Sequence, residues 1–266
     1  MAMDKKVSAL LKKYAQVFKE AKERDANESD TVMYLTKFFE EVLEYDSLKG
    51  EISKEVTVKD RFCDIALKID GDIEVLVEAK SAGLKSLTAK HIEQAENYAS
   101  RSGLSWVLLT NGVTWQLYHV SFAEGEGIKS DLAFEVEFKD DKLDEFWTSV
   151  SLISKKAVAK EELDEFWGQK KALKPGVVVK ALFSHDVITV LRRELNRQAD
   201  GRLDIDDVVE SVKAIVTKDS LMDAGDIVLS KKKRKKRKAK AASEPLTTTE
   251  ATTSSESAVQ QDIKVA

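Results

Sequence analysis

One cysteine, Cys63, two prolines and three histidines are all that the 266 residues contain of those types. A single thiol excludes an intramolecular disulfide and a cysteine-rich zinc site, and nothing places the chain in an oxidising compartment. His91, His119 and His185 lie far apart without ligand spacing. No Ser-His-Asp set has motif support. Glycine is scarce, and no G-x-x-x-x-G-K-[ST] loop occurs, which excludes an ATP-driven motor within this sequence. No run approaches the roughly 18 apolar residues of a membrane span. The N-terminal MAMDKKVSALLKKYAQVFKE is too charged for a signal-peptide core. These absences predict a soluble cytoplasmic protein.

What is present is charge, and it is unevenly placed. Charged residues make up 34% of the chain, so much of the surface must be ionic. The run KKKRKKRKAK at 231–240 holds nine basic side chains; taking these nine from the formal net charge of -4 leaves -13 on the remainder. An acidic body therefore carries a basic tail. Beyond residue 231 there are no aromatics, and the basic run gives way to Thr, Ser, Ala and Gln, so the tail cannot bury a core and is expected to be disordered.

Hydrophobic periodicity divides the rest. Val7, Leu10, Leu11, Tyr14, Val17, Phe18 and Ala21 have helical spacing over 4–24, and Val32, Leu35, Phe38, Phe39, Val42 and Leu43 repeat it over 31–44. After Gly50 the period drops to two, predicting strands over 52–58, 62–69 and 73–79. A helix over 88–102 ends at Gly103, and strands follow over 106–110, 113–120 and 132–138. A meander followed by a crossover helix predicts an α/β fold with a mixed central sheet flanked by helices. Leu143-Asp144-Glu145-Phe146-Trp147 recurs as Leu163-Asp164-Glu165-Phe166-Trp167. Two copies do not make a solenoid, and the pair reads as two helix starts docking Phe and Trp on a shared core. Further helices are predicted over 177–198 and 205–218. The organisation is an N-terminal helix (1–24), an α/β domain (25–138), a helical extension (139–228) that could carry a protein partner, and the tail (229–266).

Three residues on the strands can carry chemistry. Glu78 and Lys80 are two apart and share a sheet face. A three-residue loop from Asp70 to Asp72 pairs Ile69 with Ile73 and sets Asp64 opposite Glu78, whereas an uninterrupted two-residue loop turns Asp64 to the wrong face. An odd loop or a bulge is therefore required. Lys68 and Glu74 share the parity of the set and are expected in solvent. Paired carboxylates make a hard-oxygen site suited to Mg²⁺, and a lysine beside them can hold an attacking water or stabilise charge at phosphorus. Cys63, adjacent to Asp64, reads as a core residue.

Five pieces around this set occur in order: Asn27-Glu28-Ser29-Asp30-Thr31; Tyr45-Asp46; Arg61-Phe62-Cys63-Asp64; Val77-Glu78-Ala79-Lys80; and Gln94 with Tyr98, followed by Leu109-Thr110-Asn111-Gly112, Trp115 and Tyr118. Together they resemble the nuclease domain at the N-terminus of type I restriction enzyme R subunits, within the PD-(D/E)XK superfamily, over about residues 25–122. The resemblance implies a restriction-endonuclease-like fold. It implies Asp64, Glu78 and the Ala79 carbonyl as ligands of Mg²⁺ or Mn²⁺, Lys80 as the catalytic lysine, and Glu28 supporting the site from its helix. Gln94 and Tyr98, one helical turn apart, would line the DNA or brace the site. This sequence departs from the pattern at Cys63, where the family carries proline, and in lacking the motor.

The expected function is a metal-dependent endodeoxyribonuclease in restriction or phage defence. The alternative is a non-catalytic nucleic-acid-binding module of the same fold. The simultaneous presence of Asp64, Glu78 and Lys80 favours catalysis. Lys231, Lys232, Lys233, Arg234, Lys235, Lys236 and Arg237 are expected to neutralise phosphates of DNA, or of RNA as the second candidate, and to hold the protein near the nucleoid.

Overall fold

The computed structural model describes residues 3–58, 61–123, 127–199, 201–218 and 222; the side chains of 55–58, 61, 62, 89, 94, 98 and 123 lie outside that description. Two helices, α1 (Lys5–Glu23) and α2 (Glu28–Glu41), precede three strands, β1 (Ile52–Val58), β2 (Arg61–Ile69) and β3 (Asp72–Ala79). The helix α3 (Ala89–Ser102) leads to β4 (Trp106–Thr110), β5 (Thr114–Ala123) and β6 (Gly127–Glu137). The six strands stand in sequence order, antiparallel except for β3 and β4, which are parallel across the α3 crossover. This is the mixed α/β sheet that the periodicity predicts. Among the described residues no helix is long and apolar enough to cross a membrane.

The second helix starts three residues before the apolar periodicity does. Asn27 is its N-cap, its side chain accepting from the Asp30 amide at 2.8 Å, and Glu28 is thereby the first helical residue. The helix ends at Glu41, so Leu43 is buried beyond it rather than within it.

The β2–β3 hairpin differs from the expected three-residue loop. Ile69 pairs with Asp72, leaving a two-residue turn of Asp70 and Gly71 with φ of 52° and 98°. Both central residues of this turn are left-handed, the geometry that Asp-Gly favours. A bulge follows between the pairs Lys68↔Ile73 and Leu67↔Val75. The extra residue is Glu74, which is half-buried rather than in solvent. Its carboxyl is held above the usual range by burial and by Asp164, Asp72 and Glu161. Beyond the bulge the register runs to Ile65↔Val77, and its continuation sets Asp64 beside Glu78.

Apolar residues fill both faces of the sheet. On one, Ala66, Leu76, Val107 and Leu109 pack beneath Ile92, Ala95 and Ala99 of α3. On the other, Ile65, Val75, Val77, Leu108 and Trp115 meet α1 and α2. Phe38 of α2 is the hub there. Its ring lies 5.1–6.3 Å from those of Tyr14, Phe18, Phe39, Trp115, Phe138 and Phe146. The Asn111-Gly112 turn between β4 and β5 fits beneath this cluster only because Gly112, at φ 83°, has no Cβ; one would sit 2.2 Å from the Phe18 ring.

Four helices continue the chain: α4 (Leu143–Val150), the short α5 (Lys155–Val158), α6 (Glu162–Ala172) and α7 (Pro175–Leu182). Phe146, Trp147, Leu163 and Trp167 all join the core of the sheet, so both copies of the Leu-Asp-Glu-Phe-Trp segment dock on it. Tyr45 donates to the Ile153 carbonyl at 3.0 Å and ties the same region to the end of α2. The single helix expected over 177–198 is two, because Ser184 interrupts α7 and caps α8 (His185–Asn196). With α9 (Ile205–Ile215) these bury a separate cluster of Val179, Phe183, Ile188, Val208, Val209 and Val212. The basic tail lies outside the described residues.

Truncating the hub should be severe. Phe38→Ala is expected to cost about 3–5 kcal/mol in urea denaturation, from lost burial and the cavity left behind. A loss below about 1 kcal/mol would show that these rings do not act as one core.

Candidate metal centre

Four charged side chains meet where β3 ends beside the first half of β2. The carboxylates of Glu28, Asp64 and Glu78 each offer an oxygen within 4.8 Å of the others. Lys80 lies among them, its Nζ 2.5 Å from Glu78 Oε1 and 3.5 Å from Glu28 Oε1. The sequence singled out these four, and the fold brings all four together.

Backbone contacts position three of the four. The Ala79 N–H donates to Asp64 Oδ2 at 2.7 Å, fixing that carboxylate across the strand pair. Ala79 is buried, and this amide contact leaves its carbonyl role as the resemblance implies it. The Lys80 amide donates to the Thr110 carbonyl at 2.8 Å, extending the β3–β4 pairing by one residue. Glu28 comes from α2, whose first turn is set by the Asn27 cap.

The sequence reading missed the device that brings α2 to the strand ends. Ala82, just past Lys80, donates its amide to the Ala26 carbonyl at 3.1 Å, and Ala21, Ala26 and Ala82 pack together. Gly83 lies against Asp25 so closely that a Cβ would stand 1.7 Å from Asp25 Oδ1. Asn111, buried, donates from Nδ2 to the Leu84 carbonyl at 2.9 Å and holds the far side of the same loop. The available signals were Asn27 as a capping residue and the small residues Ala82 and Gly83 directly after Lys80.

Burial makes the cluster electrostatically demanding. Glu78 is 7% exposed. Its carboxyl is pushed up to about 7, first by burial and further by Asp64 and Glu28, against the opposing pull of Lys80. Burial pulls the Lys80 ammonium down, but the bond to Glu78 and the charges of Glu78, Glu28 and Asp64 more than offset it, so its pKa is raised. Three carboxylates with one ammonium leave an excess of negative potential around the buried Glu78 carboxyl, while Glu28 stays about half exposed. Hard oxygen donors so arranged fit a small divalent cation. They suit a soft ion poorly. Cys63 takes no part: it is buried, its Sγ donates to the Val77 carbonyl at 3.2 Å, and its thiol is pushed up to about 12 by burial.

The other expected residues stand elsewhere or outside the described region. Gln94 and Tyr98 fall on α3, but their side chains are outside the described set, as are Lys231 to Arg237. His91 caps α3, accepting from the Thr88 amide at 3.1 Å. His119 stacks on Trp167 at 4.8 Å.

Glu78 should make the metal-free protein lose stability as pH rises. Its carboxyl titrates near 7 in the folded chain against an ordinary 4.5, so the folded state keeps a proton that the unfolded chain has released. The stabilisation is complete below 4.5 and is lost as pH rises through about 7. Thermal denaturation without metal should therefore show the melting temperature of the wild type falling relative to Glu78→Gln between about pH 5 and pH 8. Parallel curves would mean that Glu78 is not desolvated.

No curated protein and no solved structure matches the chain. A family model does, and its span takes in all of α2 but its first turn, β1 to β5, α3 and the start of β6. Asp64, Glu78 and Lys80 fall within that span, while Glu28, α1 and the helices after β6 fall outside it. Residues 32–130 match the family described as the type I restriction enzyme R protein N terminus.

Proposed function

We propose that this chain is a metal-dependent endonuclease that hydrolyses DNA phosphodiesters in restriction or phage defence. The observation that carries the reading is the convergence of Glu28, Asp64 and Glu78 within 4.8 Å, with Lys80 bonded to Glu78. The similarity of 32–130 to a restriction enzyme segment supports it. Asp64, Glu78 and Glu28 would hold Mg²⁺ or Mn²⁺, with the Ala79 carbonyl as a further donor. The bound cation supplies Lewis acidity and lowers the pKa of water.

The remaining work belongs to the chain. Lys80 presents an ammonium, fixed at its backbone by Thr110, that can orient the attacking water or offset charge developing on the phosphate. Ala79 orients Asp64 through its amide. Gln94 and Tyr98 would contact the DNA from α3. The basic residues from Lys231 to Arg237 would add sequence-independent affinity and offset repulsion between DNA and the acidic body. In this reading the unit over 25–138 performs the chemistry, and the helices that follow are available to a protein partner.

Plasmid and linear DNA incubated with the purified chain and Mg²⁺ or Mn²⁺ test the proposal. Cleavage should occur with the wild type, vanish with EDTA, and fall at least about a hundredfold in Lys80→Ala and Glu78→Ala. Equal cleavage by these variants would remove the site from the reaction. Salt-sensitive binding without cleavage would favour a binding module. Deleting residues 231–240 is expected to weaken DNA binding and flatten its log–log salt dependence, by at most about 8 for nine charges. An unchanged slope would take the tail out of the interface.

A further inference from the structure

On the basis of the metal-binding reading above, we propose that Lys80 is the resident cation of the carboxylate cluster and determines which ions the cluster accepts. Two of the carboxylates that would receive a divalent ion are already engaged: Lys80 Nζ is 2.5 Å from Glu78 Oε1 and 3.5 Å from Glu28 Oε1. An ion seated between Glu28, Asp64 and Glu78 therefore competes with the ammonium for these two carboxylates. The exchange needs only side-chain movement, because the Lys80 backbone is fixed to Thr110 at 2.8 Å.

Coulomb attraction decides the competition. A monovalent ion gains no more from the carboxylates than the ammonium it would displace, and the ammonium is tethered. A divalent ion doubles the attraction at equal distance, and its gain grows because Glu78 is buried. Lys80 thus acts as a specificity-determining residue toward cations. It keeps potassium and sodium out of the cluster while yielding to Mg²⁺ or Mn²⁺. The displaced ammonium is the group assigned above to the water or the phosphate, so occupancy by the metal is what frees it for that role.

Calorimetric titration of Mn²⁺ alone into the metal-free protein tests this, using wild type, Lys80→Met, Lys80→Gln and Glu78→Gln, with melting temperatures measured with and without Mn²⁺. Lys80→Met and Lys80→Gln are expected to bind Mn²⁺ at least about tenfold more tightly than wild type. Their melting temperatures should lie below wild type without metal and converge on it at saturation. Added KCl should weaken Mn²⁺ binding more in these variants than in wild type. Equal or weaker binding by both Lys80 variants, with wild type binding and Glu78→Gln not, would overturn the proposal and leave the metal site standing. A melting deficit that persists unchanged with Mn²⁺ would make Lys80 a structural prop and also overturn it. No binding by wild type would remove the metal reading and this proposal together.

Discussion

The β2–β3 hairpin turns through Asp70 and Gly71, and a two-residue turn continued without interruption would set Asp64 opposite Val77. Val77 faces the apolar core beneath α1 and α2. The carboxylate would then be buried among aromatic rings, unpaired, where the cost of desolvating it is largest. Glu74 prevents this. As one extra residue in β3 it advances the pairing by a single step, and Asp64 comes beside Glu78 instead. Bulges re-aim side chains in this way without breaking the sheet. The ladder is regular on both sides of this one, and every other part of the site presupposes the register it sets.

Given that register, the site is expensive to hold together, and the surrounding fold shows how it is held. Three carboxylates close to one another repel, and Glu78 is also desolvated. Lys80 offsets part of this by direct bonding. Glu28 sits at the first residue of α2, where the positive end of the helix dipole favours an acidic side chain. Small residues do the rest. Ala21, Ala26, Ala82 and Gly83 let the α1–α2 turn and the chain after β3 approach until Glu28 reaches the strand ends. Larger side chains there would part the two segments and withdraw one carboxylate of the three.

The matched segment over 32–130 holds the whole cluster beneath α3 but only part of the one beneath α1 and α2. Four of the six rings around Phe38 lie outside it: Tyr14 and Phe18 on α1, and Phe138 and Phe146 after β6. Trp147, Leu163 and Trp167 add to the same cluster. The flanking helices therefore complete the hydrophobic face on which the strands carrying Asp64 and Glu78 rest. By contrast, Val179, Phe183 and Ile188 pack with α9 in a cluster of their own.

The sequence by itself determined the order of elements, because periods of 3.6 and 2 are imprinted by burial on one face of each helix or strand. It also determined which charged residues make up the cluster. Glu78 and Lys80, two apart on a strand, share a face in any fold that keeps the strand, and Asp64 was required to join them through an odd loop or a bulge. It did not determine which. Asp-Gly dictated the two-residue turn locally, but the bulge at Glu74 follows from packing Val75 and Val77 inward against α1 and α2 while Leu76 faces α3, a choice made between elements far apart in sequence. Periodicity also placed the start of α2 after Glu28, since an exposed first turn carries no apolar signal. Only the tertiary structure, by docking Ala26 on Ala82, brought Glu28 across 36 residues of chain to Asp64. Small residues such as Ala82 and Gly83 mark where a close approach is allowed but not which segment makes it, and the placement of the third carboxylate depends on that partner.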